Sequence, residues 1–328
     1  MESRVPNSID AADNDVISVV VPVLNEAGQL GALLAEIRQV LHGNDERFEV
    51  VLCDDGSDDR TWPLVQELSQ AHDDVHGISL SRNFGKESAV LAGLAVSRGE
   101  AVVVMDGDGQ HPPGVLPDMI AAWRGGADVV EGIKTRRSGQ RGLVRWAAQA
   151  FNRIFSTLTG VDLINATDYR LLGRRVVDSL LQMPERVVFF RGLSTWVGFR
   201  RARVEFEPRH RAAGRSRFSL PGLFGYGMRN LLSFTSAPLH LVTLLGCAFG
   251  LFAIVLGAQT LWNWVRGIAV EGFTTVILLL LVQGSAVMIA LGMIGLYLSQ
   301  IHREVKHRPR YIIAEFTRGL DGRVPGQD

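Results

Sequence analysis

The hydrophobic and polar positions of the chain follow two alternating periods between residues 17 and 131. Short β-branched, apolar runs predict five buried strands, at residues 17–23, 49–53, 77–80, 101–105 and 128–131. Between them, apolar residues recur at helical spacing and predict helices at residues 27–41, 61–72, 86–98 and 114–124. This alternation predicts an α/β domain with a mostly parallel sheet, helices on both faces and ligands at the carboxyl ends of the strands.

The pattern changes after residue 131. A further helix is predicted at residues 143–159, followed by a less regular region that ends near Pro208. Residues 218–234 combine apolar positions at helical spacing with a nearby Arg229, which is typical of an amphipathic helix at a membrane interface.

Two long segments contain no Asp, Glu, Lys or Arg, one between Arg229 and Arg266 and the other between Glu271 and Arg303. Each is long enough for a helix of about 20 residues to cross a bilayer, and we predict spans at residues 238–262 and 274–297. Basic residues flank both outer sides of this hairpin, so the positive-inside rule predicts that both termini are cytoplasmic. We therefore expect a multi-pass protein of the inner, cytoplasmic membrane.

These patterns divide the chain into five expected parts. They are a flexible tail at residues 1–15, a cytoplasmic α/β domain at 16–217, an interfacial helix at 218–236, a transmembrane hairpin at 237–300 and a cytoplasmic C-terminal tail at 301–328.

Composition adds two exclusions. The 34 basic residues are balanced by 34 acidic ones, which argues against a nucleic-acid partner. The two cysteines, Cys53 and Cys247, suggest neither a disulfide framework nor a thiolate metal site. We expect the soluble part to face a reducing compartment.

The first chemical motif, Asp54-Asp55-Gly56-Ser57, follows the second predicted strand. Two carboxylates at the end of a strand can accept hydrogen bonds from ribose hydroxyls or from a base N–H. The same residues could equally belong to the N-cap of the helix that starts near Thr61, with support from Ser57, Asp58 and Asp59. The motif alone leaves both interpretations open.

The second motif, which runs from Asp106 through Asp108 to Gln110, follows the fourth predicted strand. Residues two apart in an extended chain point the same way, so the two carboxylates can share one cation. Hard oxygen ligands favour Mg²⁺ or Mn²⁺ bridging phosphates. A plain acidic turn is the alternative, and the neighbouring His111 is expected to be a solvated turn residue.

Together these motifs resemble the family 2 glycosyltransferases of the GT-A fold, and in particular the polyprenyl-phosphate branch that includes bactoprenol glucosyltransferases and dolichol-phosphate mannose synthases. The resemblance covers nearly the whole chain. It rests on these two motifs and on the sequences at residues 21–26, 81–87, 167–171, 184–186, 191–193, 196–199, 211–218 and 304–309.

The resemblance implies an inverting transfer of a sugar, glucose from UDP-glucose in the first instance, to polyprenyl (undecaprenyl) phosphate. It assigns the metal to Asp106, Asp108 and Gln110, with Asp108 and Asp168 as catalytic residues. Asp168 would lie near the acceptor and orient the nucleophile, and its alternative is a structural pairing with Arg170 or another arginine. The donor nucleotide would be bound by Pro22, Asn25, Glu26, Asp54, Asp55, Lys86 and Asp106.

Arg211, Ser216 and Arg217 match family positions that precede the interfacial helix, so the resemblance implies that they bind the acceptor phosphate, which suits the planar guanidinium group. Ordinary juxtamembrane charges attracted to anionic lipids are the alternative. Lys86 and Arg82 could approach the donor or cap the following helix, and the sequence does not separate these roles.

The implied partners are a nucleotide-sugar, a polyprenyl phosphate, the bilayer and further copies of the chain. Two other functions stay open. One is a processive polysaccharide synthase, against which the chain lacks a Gln-x-x-Arg-Trp motif and has too few spans for a channel. The other is a non-catalytic scaffold that binds sugar nucleotides, against which the acidic motif is intact.

Overall fold

The computed structural model describes residues 16–135, 166–184, 190–209, 237–267, 272–320 and 322–323. The chain divides into two compact units, one formed by residues 1–217 and 309–328 and the other by residues 218–308. The first unit is therefore discontinuous in sequence. The expected N-terminal tail, the helix at residues 143–159 and the interfacial helix lie outside the described residues.

The first unit contains one eight-stranded sheet. Its strands are β1 (Val16–Val23), β2 (Arg47–Asp54), β3 (Val75–Leu80), β4 (Ala101–Val104), β5 (Val129–Lys134), β6 (Ala166–Gly173), β7 (Arg201–Phe206) and β8 (Ile313–Phe316). The order is β7-β5-β6-β4-β1-β2-β3-β8, and β6 and β8 run antiparallel to their neighbours. The five strands predicted from the sequence are confirmed as β1–β5, and the mostly parallel α/β architecture is confirmed with them.

Helices cover both faces of this sheet. They are α1 (Ala27–Gly43), α2 (Thr61–Ala71), α3 (Lys86–Val96), α4 (Leu116–Arg124), α5 (Arg174–Gln182) and α6 (Phe190–Trp196). Leu30 and Ile37 of α1 join the main core with alternate residues of β1 such as Val19. Gly93 of α3 lies against Val20, on the opposite side of β1. Because both faces are covered, β1 is apolar at almost every position, as in other buried parallel strands.

The C-terminal part of the chain differs from the expectation. Within the expected tail of residues 301–328, the strand β8 pairs antiparallel with β3 and completes one edge of the sheet. Leu320 beyond it is fully buried. The correction has a physical cause, since the outer edge of β3 would otherwise present unpaired backbone N–H and C=O groups.

The second unit contains two long helices, α7 (Ala237–Val265) and α8 (Phe273–Val305). The stretches Val242–Asn263 and Leu279–Val305 have mean hydropathies of 2.0 and 2.1, and both are long and apolar enough to cross a membrane. The two helices contact each other. Two apolar helices were predicted here from the gaps in charge.

Candidate active site

The candidate site lies where the topology gathers polar loops at one edge of the sheet. The carboxyl ends of β1, β2, β3 and β4 meet there because these strands are parallel. β5 runs in the same direction as β4, so Lys134 at its carboxyl end joins them. β6 runs the other way, and its amino end brings Asp168 to the same edge.

The side chains of Asp54 and Asp55 tie the end of β2 to its neighbours. Asp54 accepts hydrogen bonds from Ser79 Oγ at 2.9 Å and from both the backbone N–H and the hydroxyl of Ser57. Asp55 accepts the N–H groups of Phe84 at 2.8 Å and Gly85 at 3.0 Å. Burial raises the pKa of Asp55, and these two hydrogen bonds oppose that shift. The two carboxylates therefore join the β2 and β3 loops.

Helix α2 is not capped by these two aspartates. Its Thr61 N–H donates instead to Asp59 Oδ1, at 2.9 Å. Among the residues that the sequence offered for this N-cap, Asp59 therefore contacts the start of the helix, whereas Asp54 and Asp55 bond to other groups.

The loop after β1 is fixed against the same region. Asn25 donates its N–H to Ser57 Oγ at 2.9 Å, and its Oδ1 accepts the N–H of Asp58 at 3.0 Å. Gly56 adopts φ +70°, and a Cβ atom there would lie 2.5 Å from the Arg82 carbonyl carbon, so only glycine allows this close crossing of two loops. Pro22 pairs with Cys53, and the Glu26 N–H donates to Thr61 Oγ1 at 2.9 Å, so the loop after β1 lies beside the loop after β2.

The acidic loop after β4 is folded tightly against β1. Asp108 Oδ1 accepts the N–H of Gln110 at 3.1 Å. A Cβ atom on Gly107 would lie 2.8 Å from Val23 Cγ1 and 3.1 Å from the Pro22 carbonyl oxygen. Glycine between the two aspartates lets the loop approach the strand this closely.

His111 supports the acidic loop through a hydrogen bond to its backbone. Its Nδ1 accepts the N–H of Asp106 at 3.0 Å, and its ring stacks on Tyr169 with centroids 4.8 Å apart. The residue is 2% exposed, and burial lowers its pKa. The expectation of a solvated turn residue is wrong, because a neutral imidazole here accepts a backbone hydrogen bond and fills the core.

Lys86 links the two acidic elements of the site. Its Nζ lies 2.6 Å from Asp106 Oδ1 and 2.5 Å from Asp168 Oδ2. Burial alone would lower the pKa of Lys86, but the two carboxylates outweigh it and raise the pKa above its usual value. Arg82 instead stacks over the ring of Phe84 at 4.2 Å. The structure thus separates two basic residues that the sequence left equivalent.

Asp168 is held by Arg191 as well as by Lys86. Arg191 Nε lies 2.5 Å from Oδ1 and its second terminal nitrogen 3.0 Å from Oδ2. Although burial acts in the opposite direction, Lys86 and Arg191 hold the pKa of Asp168 well below its usual range. Arg170 bonds elsewhere, to Ser194. An arginine pairing of Asp168 had been considered from the sequence, and its partner is Arg191.

Three further residues join the site without having been predicted there. Lys134 donates to Gln110 Oε1 at 3.5 Å, and burial lowers its pKa. Arg191 was noted only as part of a motif. Glu87 accepts the N–H of Phe190 at 3.0 Å, and burial, together with the charge of Asp168, raises its pKa to about 7. The one available sequence signal was a basic residue three positions after the strand predicted at residues 128–131, and it applied to Lys134.

The donor atoms for a metal are few but of the right type. Among the described residues, no group of three His, Cys, Asp or Glu side chains could hold a metal ion. Asp106, Asp108 and Gln110 supply two carboxylates and one amide oxygen at an open loop. Mg²⁺ and Mn²⁺ accept such sets, because Mg²⁺ keeps several waters and binds substrate phosphates beside one or two carboxylates. Arg211, Ser216 and Arg217 lie outside the described residues.

A mostly parallel sheet that is covered by helices and carries an Asp-x-Asp loop at the end of a strand is the GT-A architecture of the glycosyltransferases. Residues 18–181 match the family Glycosyl transferase family 2, and the chain belongs to it. It is accordingly a glycosyltransferase.

Similar proteins extend the match over most of the chain. An uncharacterized glycosyltransferase of Synechocystis sp. is 32% identical, covering 91% of this chain and 95% of that protein. The SfII prophage-derived bactoprenol glucosyl transferase of Shigella flexneri is 33% identical, covering 92% and 99%. Among solved structures, glucosyl-3-phosphoglycerate synthase from Mycobacterium tuberculosis, in complex with Mn²⁺, UDP and glucosyl-3-phosphoglycerate, is 19% identical with a TM-score of 0.48, covering 66% and 78%.

Proposed function

We propose that this protein transfers a sugar, with inversion at the anomeric carbon, from a nucleotide-sugar to polyprenyl phosphate at the cytoplasmic face of a membrane. The donor that we propose is UDP-glucose. The observation that carries this proposal is the 33% identity to a bactoprenol glucosyl transferase over 99% of that protein's length. The match therefore includes the segment that forms the two apolar helices, and not the catalytic domain alone.

Asp106, Asp108 and Gln110 are proposed to hold Mg²⁺ or Mn²⁺. When bound, such a cation supplies a positive charge that stabilises the diphosphate as it leaves. Lys86 and Lys134 border the same loop, and we propose that they add fixed positive charge toward the donor phosphates. Their supporting contacts are the 2.6 Å pair of Lys86 with Asp106 and the 3.5 Å hydrogen bond of Lys134 to Gln110.

The nucleoside part of the donor is assigned to the loops after β1 and β2. These two loops lie side by side at the carboxyl ends of their strands, the usual ligand position in an open parallel sheet. The residues that we assign to nucleoside binding are Pro22, Asn25, Glu26, Asp54 and Asp55. Asp54 and Asp55 also use their carboxylates to fix neighbouring loops, which preorganises the surface that the nucleoside would meet.

The acceptor is a phosphate monoester with a second pKa of about 6, so it is largely a dianion at neutral pH and needs no strong base. Asp168 is ionised and fully engaged by Lys86 and Arg191. We assign it the role of fixing both cations in place, Lys86 beside the donor phosphates and Arg191 toward the acceptor. Arg211, Ser216 and Arg217 are proposed to bind the acceptor phosphate itself, with generic attraction to anionic lipid as the alternative.

The membrane arrangement completes the proposal. The two apolar helices would form a hairpin at residues 237–300 with both termini cytoplasmic, preceded by an interfacial helix at residues 218–236. In this arrangement the domain of residues 16–217 faces the cytoplasm, where nucleotide-sugars are made, and the hairpin lies in the inner membrane. Assembly into a homo-oligomer is part of the same proposal.

The test is transfer of radiolabelled sugar from a panel of UDP- and GDP-sugars into organic-extractable polyprenyl phosphate by the purified protein, with Mg²⁺ or Mn²⁺ and an EDTA control. Label in the lipid phase with UDP-glucose, lost on chelation, is the expected result. Label with a different donor, and none with UDP-glucose, would show that the protein transfers a different sugar from the one proposed. Absence of label with every donor, from folded protein that binds metal, would overturn the proposal in favour of a binding scaffold.

A further inference from the structure

The chain beyond α8 holds β3 along its outer edge. We call residues 312–320 and 323 the C-terminal clasp. The carbonyl oxygen of Ile312 accepts the N–H of Ser81 at 2.9 Å. At the other end of β3, Gly77 N–H donates to Thr317 Oγ1 at 2.8 Å and Thr317 N–H donates to the Gly77 carbonyl at 2.9 Å. The clasp therefore pairs with the chain from residue 77 to residue 81.

Side chains anchor the clasp on two further elements. Glu315 Oε2 accepts the indole N–H of Trp62 on α2 at 2.8 Å. Leu320 is fully buried, and Arg323 lies 2.9 Å from Glu49, whose carboxylate is itself completely buried. Glu49 also accepts hydrogen bonds from Ser18 Oγ at 2.6 Å and from the Arg98 N–H at 2.8 Å, so Arg323 attaches this end of the clasp to a carboxylate that is already held in place.

The strand that the clasp holds leads directly to the donor side of the site. Ser79 pairs with Glu315 in the clasp, and its hydroxyl donates to Asp54 at 2.9 Å. The chain then turns after Ser81, and the N–H groups of Phe84 and Gly85 in this turn bind Asp55. The clasp therefore pairs with the strand whose Ser79 binds Asp54 and whose following turn binds Asp55.

We propose that the C-terminal clasp is a positioning element for the nucleotide-sugar donor. By pairing with β3 up to Ser81, it sets the loop of residues 81–85 and, through that loop, Asp54 and Asp55. Without the clasp, β3 becomes an open edge whose end and following turn sample more conformations, and donor binding must then order them. The inference rests on the proposed function, which assigns these aspartates to the donor.

Thr317→Val combined with Glu315→Ala tests this directly. Valine keeps the shape of threonine and the backbone bond to Gly77 O, but it leaves the buried Gly77 N–H without its acceptor. We expect the KM for UDP-glucose and the Kd for UDP with Mg²⁺ to rise about five- to ten-fold, from the loss of one to two hydrogen bonds. The KM for polyprenyl phosphate should stay within about two-fold, since its proposed ligands lie on another segment.

Two matched variants complete the experiment. Thr317→Ser combined with Glu315→Ala retains the hydroxyl that accepts the Gly77 N–H. This variant should bring the KM for UDP-glucose part of the way back to the parent value. Arg318→Gln changes an exposed neighbouring side chain and should leave both KM values unchanged. An equal rise in both KM values, or a fall in kcat alone, would overturn the positioning role.

The outcome is separable from the fate of the proposed function. If the unmodified protein transfers no sugar with any donor, the proposed function fails, and UDP binding measured by calorimetry still tests the clasp. If the unmodified protein transfers sugar but the Thr317 and Glu315 variant binds UDP as tightly as the parent, the clasp proposal alone is overturned.

Discussion

Arg191 binds both carboxylate oxygens of Asp168, at 2.5 and 3.0 Å. Two-point contacts of this kind fix the planes of both groups relative to each other. Lys86 Nζ lies 2.5 Å from Oδ2 of the same carboxylate. Asp168 is therefore held as an anion between two cations, which suits a role in aligning positive charge and does not suit a role as a proton acceptor.

Replacing Arg191 by lysine should lower kcat for sugar transfer by about 10- to 100-fold, because a single ammonium cannot make the two-point contact. The measurement is steady-state transfer at saturating donor and acceptor. Arg175→Lys, at an exposed position of α5, is the control and should retain activity. Full activity of the Arg191 variant would show that the pairing serves stability alone.

Asp108→Asn should abolish transfer while leaving the fold intact. The asparagine Oδ1 can still accept the N–H of Gln110, so the loop keeps its hydrogen bond, but one anionic metal ligand is lost. We expect loss of activity together with weaker Mn²⁺ binding and an unchanged thermal unfolding midpoint. Asp118→Asn, on the exposed side of α4, is the matched control. Substantial activity in the Asp108 variant would contradict its assignment as a metal ligand.

His111→Phe should raise the Mg²⁺ concentration that gives half-maximal activity. Phenylalanine can stack on Tyr169, but it cannot accept the Asp106 N–H, so the acidic loop loses its support. An unsatisfied buried N–H costs about 1–3 kcal/mol. His111→Asn retains an acceptor and should be nearer to the parent in its metal requirement. The two variants are compared by metal titration of transfer, and equal behaviour would contradict the hydrogen-bonding role.

The raised pKa of Glu87 predicts that the free energy of unfolding depends on pH. Burial and the charge of Asp168 raise its pKa to about 7 in the folded protein, above the ordinary glutamate value that applies in the unfolded chain. The folded state therefore binds an extra proton between these pKa values, and stability falls as pH rises toward 7. Above that pH the penalty is complete, on the order of 3 kcal/mol.

Glu87→Gln removes this penalty while keeping an oxygen to accept the Phe190 N–H. Its unfolding midpoint relative to the parent should be higher at pH 8 than at pH 5. Glu67→Gln on α2 is the control, because Glu67 is well exposed and should show no such trend. A pH-independent difference for Glu87→Gln would contradict the raised pKa.

Arg217→Ala should weaken the lipid acceptor much more than the donor. The prediction follows from its place in the motif before the interfacial segment and from the match of guanidinium to phosphate geometry. It is measured as separate KM values for polyprenyl phosphate and UDP-glucose. Arg215→Ala, a neighbouring charge, is the comparison and should change both values little. Equal losses for the two substrates would contradict an acceptor role for Arg217.

The hydrophobic pattern predicted the central sheet well because β1 to β4 each contain a run of β-branched and other apolar residues that is bounded by clear turns. β6 escaped prediction since it carries Asp168 and Arg170 inside a buried strand, a pattern that is stable only through partners far away in the sequence. Arg170, for example, is neutralised by Glu131 at 3.4 Å. β8 escaped because the chain leaves the sheet for residues 218–308 before it returns.

At the site, the sequence motifs predicted that the loops after β2 and β4 lie at one edge of the sheet. They did not predict the hydrogen bonds and ion pairs of the individual side chains. The acidic loop after β4 and the pair after β2 were identified from strand ends alone. The contacts of Lys86, however, depend on β6 running antiparallel, which brings Asp168 to the same edge as Asp106. No local sequence pattern encodes that direction.

The discontinuity of the catalytic unit has a consequence for biosynthesis. β8 is translated only after both apolar helices, so on the ribosome the sheet stays one strand short until the whole hydrophobic hairpin has been made. During that interval β3 is an open edge, and its pairing partner arrives last. The sheet is thus completed only after both apolar helices have been synthesised. A nascent chain that stops before residue 313 would lack the strand that pairs with the outer edge of β3.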